Sequence, residues 1–269
     1  MHGRADVIVH RKNGRQRVDY FHRSPLRIFL PENHSGNVES EIVLANTSGG
    51  LVGGDELQVN VVMGEGTRSV ITSQAAEKAY RANGADTIIE TNLKLDAGAR
   101  LRWVPQETIL FDGVRLRRRT VLDVDGQATA IAGELLVFGR SASGEGFTRG
   151  LVHDEWRVKF GGKMAWADNL HLAGDVARQM ESPHGFDQAK AMATLLYVSK
   201  DALERVDCVK SLIRTDRCRS GATLIGNVVI ARWLGRDPAE VRRAYAGFIA
   251  NFASALGWTD KGLPAIWSV

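Results

Sequence analysis

GTRSVITSQ, residues 66–74, opens on a glycine and continues in alternation. Alternation with a period of two marks a strand with one buried face. The same shape returns at GARLRWVPQ (98–106), GQATAIAGE (126–134) and GKMAWADNL (162–170), at spacings of 32, 28 and 36 residues. A period near 30 predicts stacked supersecondary units. Each unit reads as two strands around a glycine turn: NVVMGEG–TRSVITSQ, TNLKLDAG–ARLRWVPQ, TVLDVDG–QATAIAGE and DEWRVKFGG–KMAWADNL. From about residue 41 to 172 helical periodicity is almost absent. The expected fold is mainly β: a helical β-stack, solenoid-like in its rungs. Four unrelated hairpins would share the glycine signal, since Gly after Asp, Glu or Gly marks tight turns.

Stacked rungs put equal positions in line. The ninth position then holds Gln74, Gln106, Glu134 and Leu170, with Glu77, Glu107, Glu134 and Asp168 in or around the column. Like charges in a file repel unless cations or protons sit between them.

NTSGGLVGGDELQV (46–59) raises a phosphate-loop reading, which its chemistry rejects. Asp55 and Glu56 follow the last glycine, where a P-loop needs Lys and a helix. EIVLAN before it and DELQVNVVM after it read as strands.

The last third changes character. ATLLYVS (193–199) reads as a buried strand, residues 201–214 as a helix, and CRSGATLIGNVVIARWLG as two strands. A second helix over 238–256 has Asp237 as N-cap, Pro238 at N1, Glu240 at N3 and Gly257 at its end. The two helices are expected to cover an exposed edge of the stack. The expected organisation is a basic arm (1–19) and a single domain (20–269), with the stack over about 20–200 and 215–234.

The net charge is +4. Residues 1–30 hold seven basic and two acidic side chains, which leaves the remainder nearly neutral. A nucleic-acid-binding domain would carry its charge on a folded face. RLRRR (115–119) is the one basic run outside the arm, with no aromatic platform beside it for bases. No apolar run is long enough for a membrane span. The start has no signal-peptide core, and Cys208 and Cys218 form no CxxC pattern, which together suggest reduced thiols and a cytoplasmic protein. His2, His10, His22 and His34 read as solvated arm residues. His153, His171 and His184 lie far apart in sequence and suggest no metal cage.

NTSGGLVGGD, ITSQAAEKAYR, WVPQETILFDG, ELLVFGR with SGEG, WRV…GG…WAD and LPAIWS occur in this order. Together they resemble the urease accessory protein UreD (UreH) family over residues 20–269. The resemblance implies a helical β-stack with two C-terminal helices, acting as a non-enzymatic chaperone in metallocentre assembly. It implies docking on the urease apoprotein with UreF and the GTPase UreG, and a path for nickel(II) in transit with no tightly bound cofactor. A homodimer within the accessory complex is left open. Neither nucleic acid nor membrane is an implied partner. Asp55, Glu77, Glu107, Glu134 and Asp168 become candidate path carboxylates, and Arg115, Arg117 and Arg119 candidate interface residues.

Carboxylates suit such a path: nickel held by imidazole and thiolate binds tightly, by carboxylate and water more loosely. Each residue also has a plainer role. Asp55 and Asp168 fit turns, Asp112-Gly113 fits a hairpin, Glu134 fits a salt bridge to Arg140, and the arginines fit a solvated strand face. Trp103, Trp156 and Trp166 fit the core. Two other functions compete: a polysaccharide-cleaving solenoid, which needs an open groove with paired carboxylates, and a nucleic-acid adaptor with salt-sensitive binding.

Overall fold

The computed structural model describes residues 1–31, 39–140, 143–213, 215–258 and 262–268. The chain runs β1 (His2–Lys12), β2 (Arg15–Arg23), β3 (Leu26–Phe29), β4 (Ser40–Asn46), β5 (Glu56–Met63), β6 (Arg68–Ser73), β7 (Glu77–Ala79), β8 (Thr87–Leu95), β9 (Arg100–Trp103) and β10 (Thr108–Leu110). It continues through β11 (Arg115–Val124), β12 (Thr129–Phe138), β13 (Leu151–Phe160), β14 (Lys163–Ala173), α1 (Val176–Glu181), β15 (Ala191–Val198), α2 (Ala202–Leu212), β16 (Arg219–Ile225), β17 (Val228–Gly235) and α3 (Pro238–Ala255). A short 3-10 helix, Ala265–Ser268, follows.

Two sheets face each other. The first has the order β14-β13-β11-β8-β5-β1-β2. The second runs β16-β17-β15-β12-β9-β6-β4-β3, with β7 and β10 beside this path. The glycine turns carry the chain from one sheet to the other: β5 leads to β6, β8 to β9 and β11 to β12. The pairing is parallel and keeps one offset in both sheets. Glu56 aligns with Ile88 as Arg68 does with Arg100; Thr87 aligns with Leu116 as Arg100 does with Thr129. Three stacked coils result, and the fold is mainly β with solenoid-like stacking.

The fourth unit departs from the expectation. Gly161 and Gly162 both take positive φ, at 56° and 77°, and Phe160 pairs directly with Lys163. That is a two-residue hairpin turn of the kind a Gly-Gly pair favours. β14 therefore folds back on β13 and stays in the first sheet. Its expected place beside β12 is taken by β15, running antiparallel. Asp168 thus leaves the column that contained Glu134. The spacing also shifts within the third coil: Trp103 pairs with Ala132, but Thr108 pairs with Leu136, so one residue is absorbed between them.

The basic start of the chain, expected as an arm, forms two strands of the first sheet. Ala5, Val7 and Val9 of β1 are buried between the sheets. Apart from Arg11, which shares the phase of Val9 but is exposed at the end of β1, the basic residues of these strands occupy the alternate, outward positions, which is why composition alone suggested an arm.

α2 and α3 pack on the outer face of the second sheet, where an edge was expected to be covered. Val206 and Val209 of α2 and Val241, Tyr245, Phe248 and Phe252 of α3 bury against Ile131, Leu195, Tyr197 and Trp233. β12 is therefore covered on both faces, which explains its nearly continuous apolar run. Asp237 caps α3 by accepting from the Ala239 amide at 2.8 Å. Glu240 turns to Arg217 and Arg243, at 2.7 Å each, in place of closing a capping box. Among the described residues no helix is long and apolar enough to cross a membrane.

Candidate functional site: a cavity between the sheets

The glycine-rich loop 46–55 packs against the next coil. Leu51 N–H donates to the Lys78 carbonyl at 2.7 Å, and the Leu51 carbonyl accepts from Tyr80 N–H at 2.8 Å. Gly50 sits at φ +141°, and a Cβ there would lie 2.4 Å from the Tyr80 ring. Here glycine permits close approach of one coil to another. Asp55 is 4% exposed and holds the turn, accepting from Val52 N–H at 2.9 Å and from the Met1 amine at 2.8 Å.

Beside this loop a cavity of about 340 Å³ opens between the sheets. Exposed Gln74, Ala75 and Lys78 stand at its outer end, and buried Arg118 and Glu134 at its inner end. Trp103 and Trp156 form apolar wall. Two of the five candidate carboxyls line it, Glu77 and Glu134.

Glu77, on β7, accepts from both sides of its carboxylate, at 3.1 and 3.0 Å, from the Asn46 amide. Burial pushes its pKa up, the Asn46 amide pulls against this, and nearby Asp55 adds to the rise.

Glu134 meets Arg118, which comes from the first sheet. The Arg118 guanidinium donates to Glu134, twice to Asp154 (Nε to Oδ1 at 2.9 Å), and to Thr108 Oγ1 at 3.3 Å. One buried cation thus faces two buried carboxyls. Burial pushes Glu134 up to about 8, Arg118 opposes the rise, and Asp154 reinforces it. Trp156 Nε1 is buried without a hydrogen-bond partner and lies near enough to Glu134 to favour its charged form.

The other candidates lie elsewhere. Glu107 points to α3, where Arg242 Nε donates to it at 3.1 Å. Asp168 is partly exposed and pairs with Arg232. Arg115 and Arg117 share Asp86, and Arg119 pairs with Glu155, all on the outer face. Asp112 sits in a turn, but the expected hairpin does not form: β10 pairs with β7 and β12 and β11 with β8 and β13, and the Asp112 carboxylate instead accepts from the distant Thr148 and Arg149 amides. The salt bridge expected for Glu134 exists, but with Arg118; Arg140 pairs with Glu145.

Arg118 and Asp154 were missed, though their signal is in the alternation. Arg118 is in phase with buried Leu116 and Leu122, and Asp154 with buried Val152 and Trp156. A charged residue on the apolar phase of a strand must meet a partner inside.

The family model for the UreD urease accessory protein matches residues 1–268, essentially the whole length. The chain belongs to the UreD family. Curated relatives carry the same description: a Magnetococcus marinus protein is 35% identical over 96% of this chain and 91% of its own length. A Methylobacterium protein is 38% identical over 93% and 88%, and one from Azorhizobium caulinodans 35% identical over 99% and 96%. Membership in UreD gives the chain an accessory role in urease maturation.

Proposed function

We propose that this UreD chain is a non-catalytic scaffold that docks on the urease apoprotein with UreF and UreG and offers nickel(II), its cargo, a path through the inter-sheet cavity. The observation that carries this reading is that two carboxyls, Glu77 and Glu134, line one cavity between the sheets. A cation entering past Glu77 would displace protons where the carboxyls hold them, so the path carries charge without accumulating it. Arg118 keeps the inner end from becoming a trap, because its fixed positive charge offsets one of two carboxylates. A conduit needs that balance of entry against release. Asp55 supports the loop at the outer end. Glu107 and Asp168, outside the cavity, would not carry the ion.

The competing reading is structural: Arg118, Glu134 and Asp154 form an internal tie and the cavity is idle. The test is urease activation in cells with Glu77→Gln, Glu134→Gln and, for comparison, Asp168→Asn, with pull-down of UreF, UreG and apo-urease in parallel. The conduit reading expects complexes to form while urease nickel content falls for the first two variants alone. Unchanged nickel content in all three supports the structural tie.

A further inference from the structure

The Gly161–Gly162 hairpin does something the sequence spacing concealed. His153 and His171, 18 residues apart, are direct cross-strand partners on β13 and β14. Their Nδ1 atoms lie 3.3 Å apart, with ring centroids 5.5 Å apart and the planes at 73°. The inward phase of β13 is Val152, Asp154, Trp156 and Val158, so His153 belongs to the outer face. His171 is exposed, and β14 is the edge strand of the first sheet.

Two imidazole nitrogens stand this close for one of two reasons. Either one ring donates a proton to the other, or both lone pairs converge on one ion. With metal–nitrogen bonds of about 2.0–2.1 Å, tetrahedral or cis-octahedral coordination separates two nitrogens by about 2.8–3.4 Å. The observed 3.3 Å falls in that interval. Directly opposed residues on antiparallel strands have their Cβ atoms fixed at close range, so the backbone already holds the two rings beside each other.

We infer that His153 and His171 form a surface two-imidazole site for a divalent first-row transition ion of the nickel, copper and zinc class. Imidazole suits these ions, whereas magnesium and calcium seek oxygen. Among the described residues no third His, Cys, Asp or Glu completes a metal-binding group. Water therefore fills the remaining positions, and the ion is exchangeable. The charged neighbours are already occupied. Arg117, in register with His153, donates to Asp86, and Glu155, the next outward residue on β13, is held by Arg119 and Arg157. Selectivity rests on the two rings. The site lies on the opposite face of β13 from the Arg118–Glu134–Asp154 cluster and stands or falls independently of the conduit.

The test titrates the purified full-length chain with nickel(II), zinc(II) and magnesium(II) salts by calorimetry. Wild type is expected to show a site that nickel and zinc fill and magnesium does not. His153→Asn and His171→Asn should each weaken that site by roughly tenfold or more, as much as the double variant, because one ring cannot chelate. His184→Asn serves as the exposed control and should leave it intact. Nickel affinity unchanged by either substitution overturns the inference, as does dependence on one ring only. A measurement on the unsubstituted protein guards against folding defects: nickel(II) should broaden the ring-proton NMR signals of both His153 and His171 first, and broadening confined to other histidines overturns the assignment.

Discussion

Arg118, on the first sheet, donates to Glu134 on the second and so ties the two layers together across the cavity. The same guanidinium holds Asp154 within its own sheet. Removing Arg118 leaves two carboxyls buried without a cation. Breaking a buried pair from one side costs about 3–5 kcal/mol. Arg118→Met is therefore expected to lose about that much in urea denaturation. Below about pH 5, where the Glu134 carboxyl is protonated in the folded chain, Glu134→Gln keeps an acceptor for Arg118 and leaves Asp154 as counter-charge; there it should cost about 1 kcal/mol.

Stability should depend on pH through Glu134. Its carboxyl sits at about 8 in the folded chain, with burial the leading cause, against about 4.3 when unfolded. Between these values the folded state holds a proton that the unfolded state has released. The stabilisation is complete below the unfolded value and is lost as pH rises through the folded one. One proton gives a slope of at most about 1.4 kcal/mol per pH unit. The stability of wild type minus that of Glu134→Gln should thus fall from about pH 5 to about pH 8. A flat difference in urea melts across that range would mean Glu134 is ionised throughout.

Gly50 should not tolerate a side chain. A Cβ would meet the Tyr80 ring at 2.4 Å and the Lys78 carbonyl at 2.8 Å, at a positive φ. Overpacking of this kind costs about 1–3 kcal/mol. Gly50→Ala should lower the thermal midpoint accordingly, whereas Gly126→Ala, with nothing within 4 Å and no positive φ, should change it little.

The outward arginines of β11 offer a different test. Arg115, Arg117 and Arg119 are half-exposed, and among the described residues they pair with the partly buried carboxylates Asp86 and Glu155. Exposed ion pairs contribute about 0–1 kcal/mol each. Replacing all three with Ser should leave stability nearly intact and, if this face is an interface, weaken capture of UreF or apo-urease. Retained capture would place the docking surface elsewhere.

The stacked coils were legible because the glycine turns recur at spacings close to the pairing offset. The fourth unit was misread for a physical reason: one glycine lets the chain turn toward the other sheet, whereas two at positive φ close a hairpin, as Gly161 and Gly162 do. That single turn removed Asp168 from the expected column and brought His153 onto His171. The placement of Glu77 and Glu134 along one cavity needed three dimensions, because the chain absorbs a residue between Trp103 and Thr108. Arg118 needed only a stricter reading of phase. The run RLRRR looked like one basic feature, while the strand's alternation splits it into three outward arginines and one inward.

The most direct test of the conduit is nickel content in urease matured with Glu134→Gln, measured in cells where pull-down shows the accessory complex intact. The account predicts urease protein at normal amount with its nickel and activity reduced together, and Asp168→Asn indistinguishable from wild type. Full nickel loading with Glu134→Gln and Glu77→Gln combined would contradict it and leave the Arg118 cluster as a structural tie.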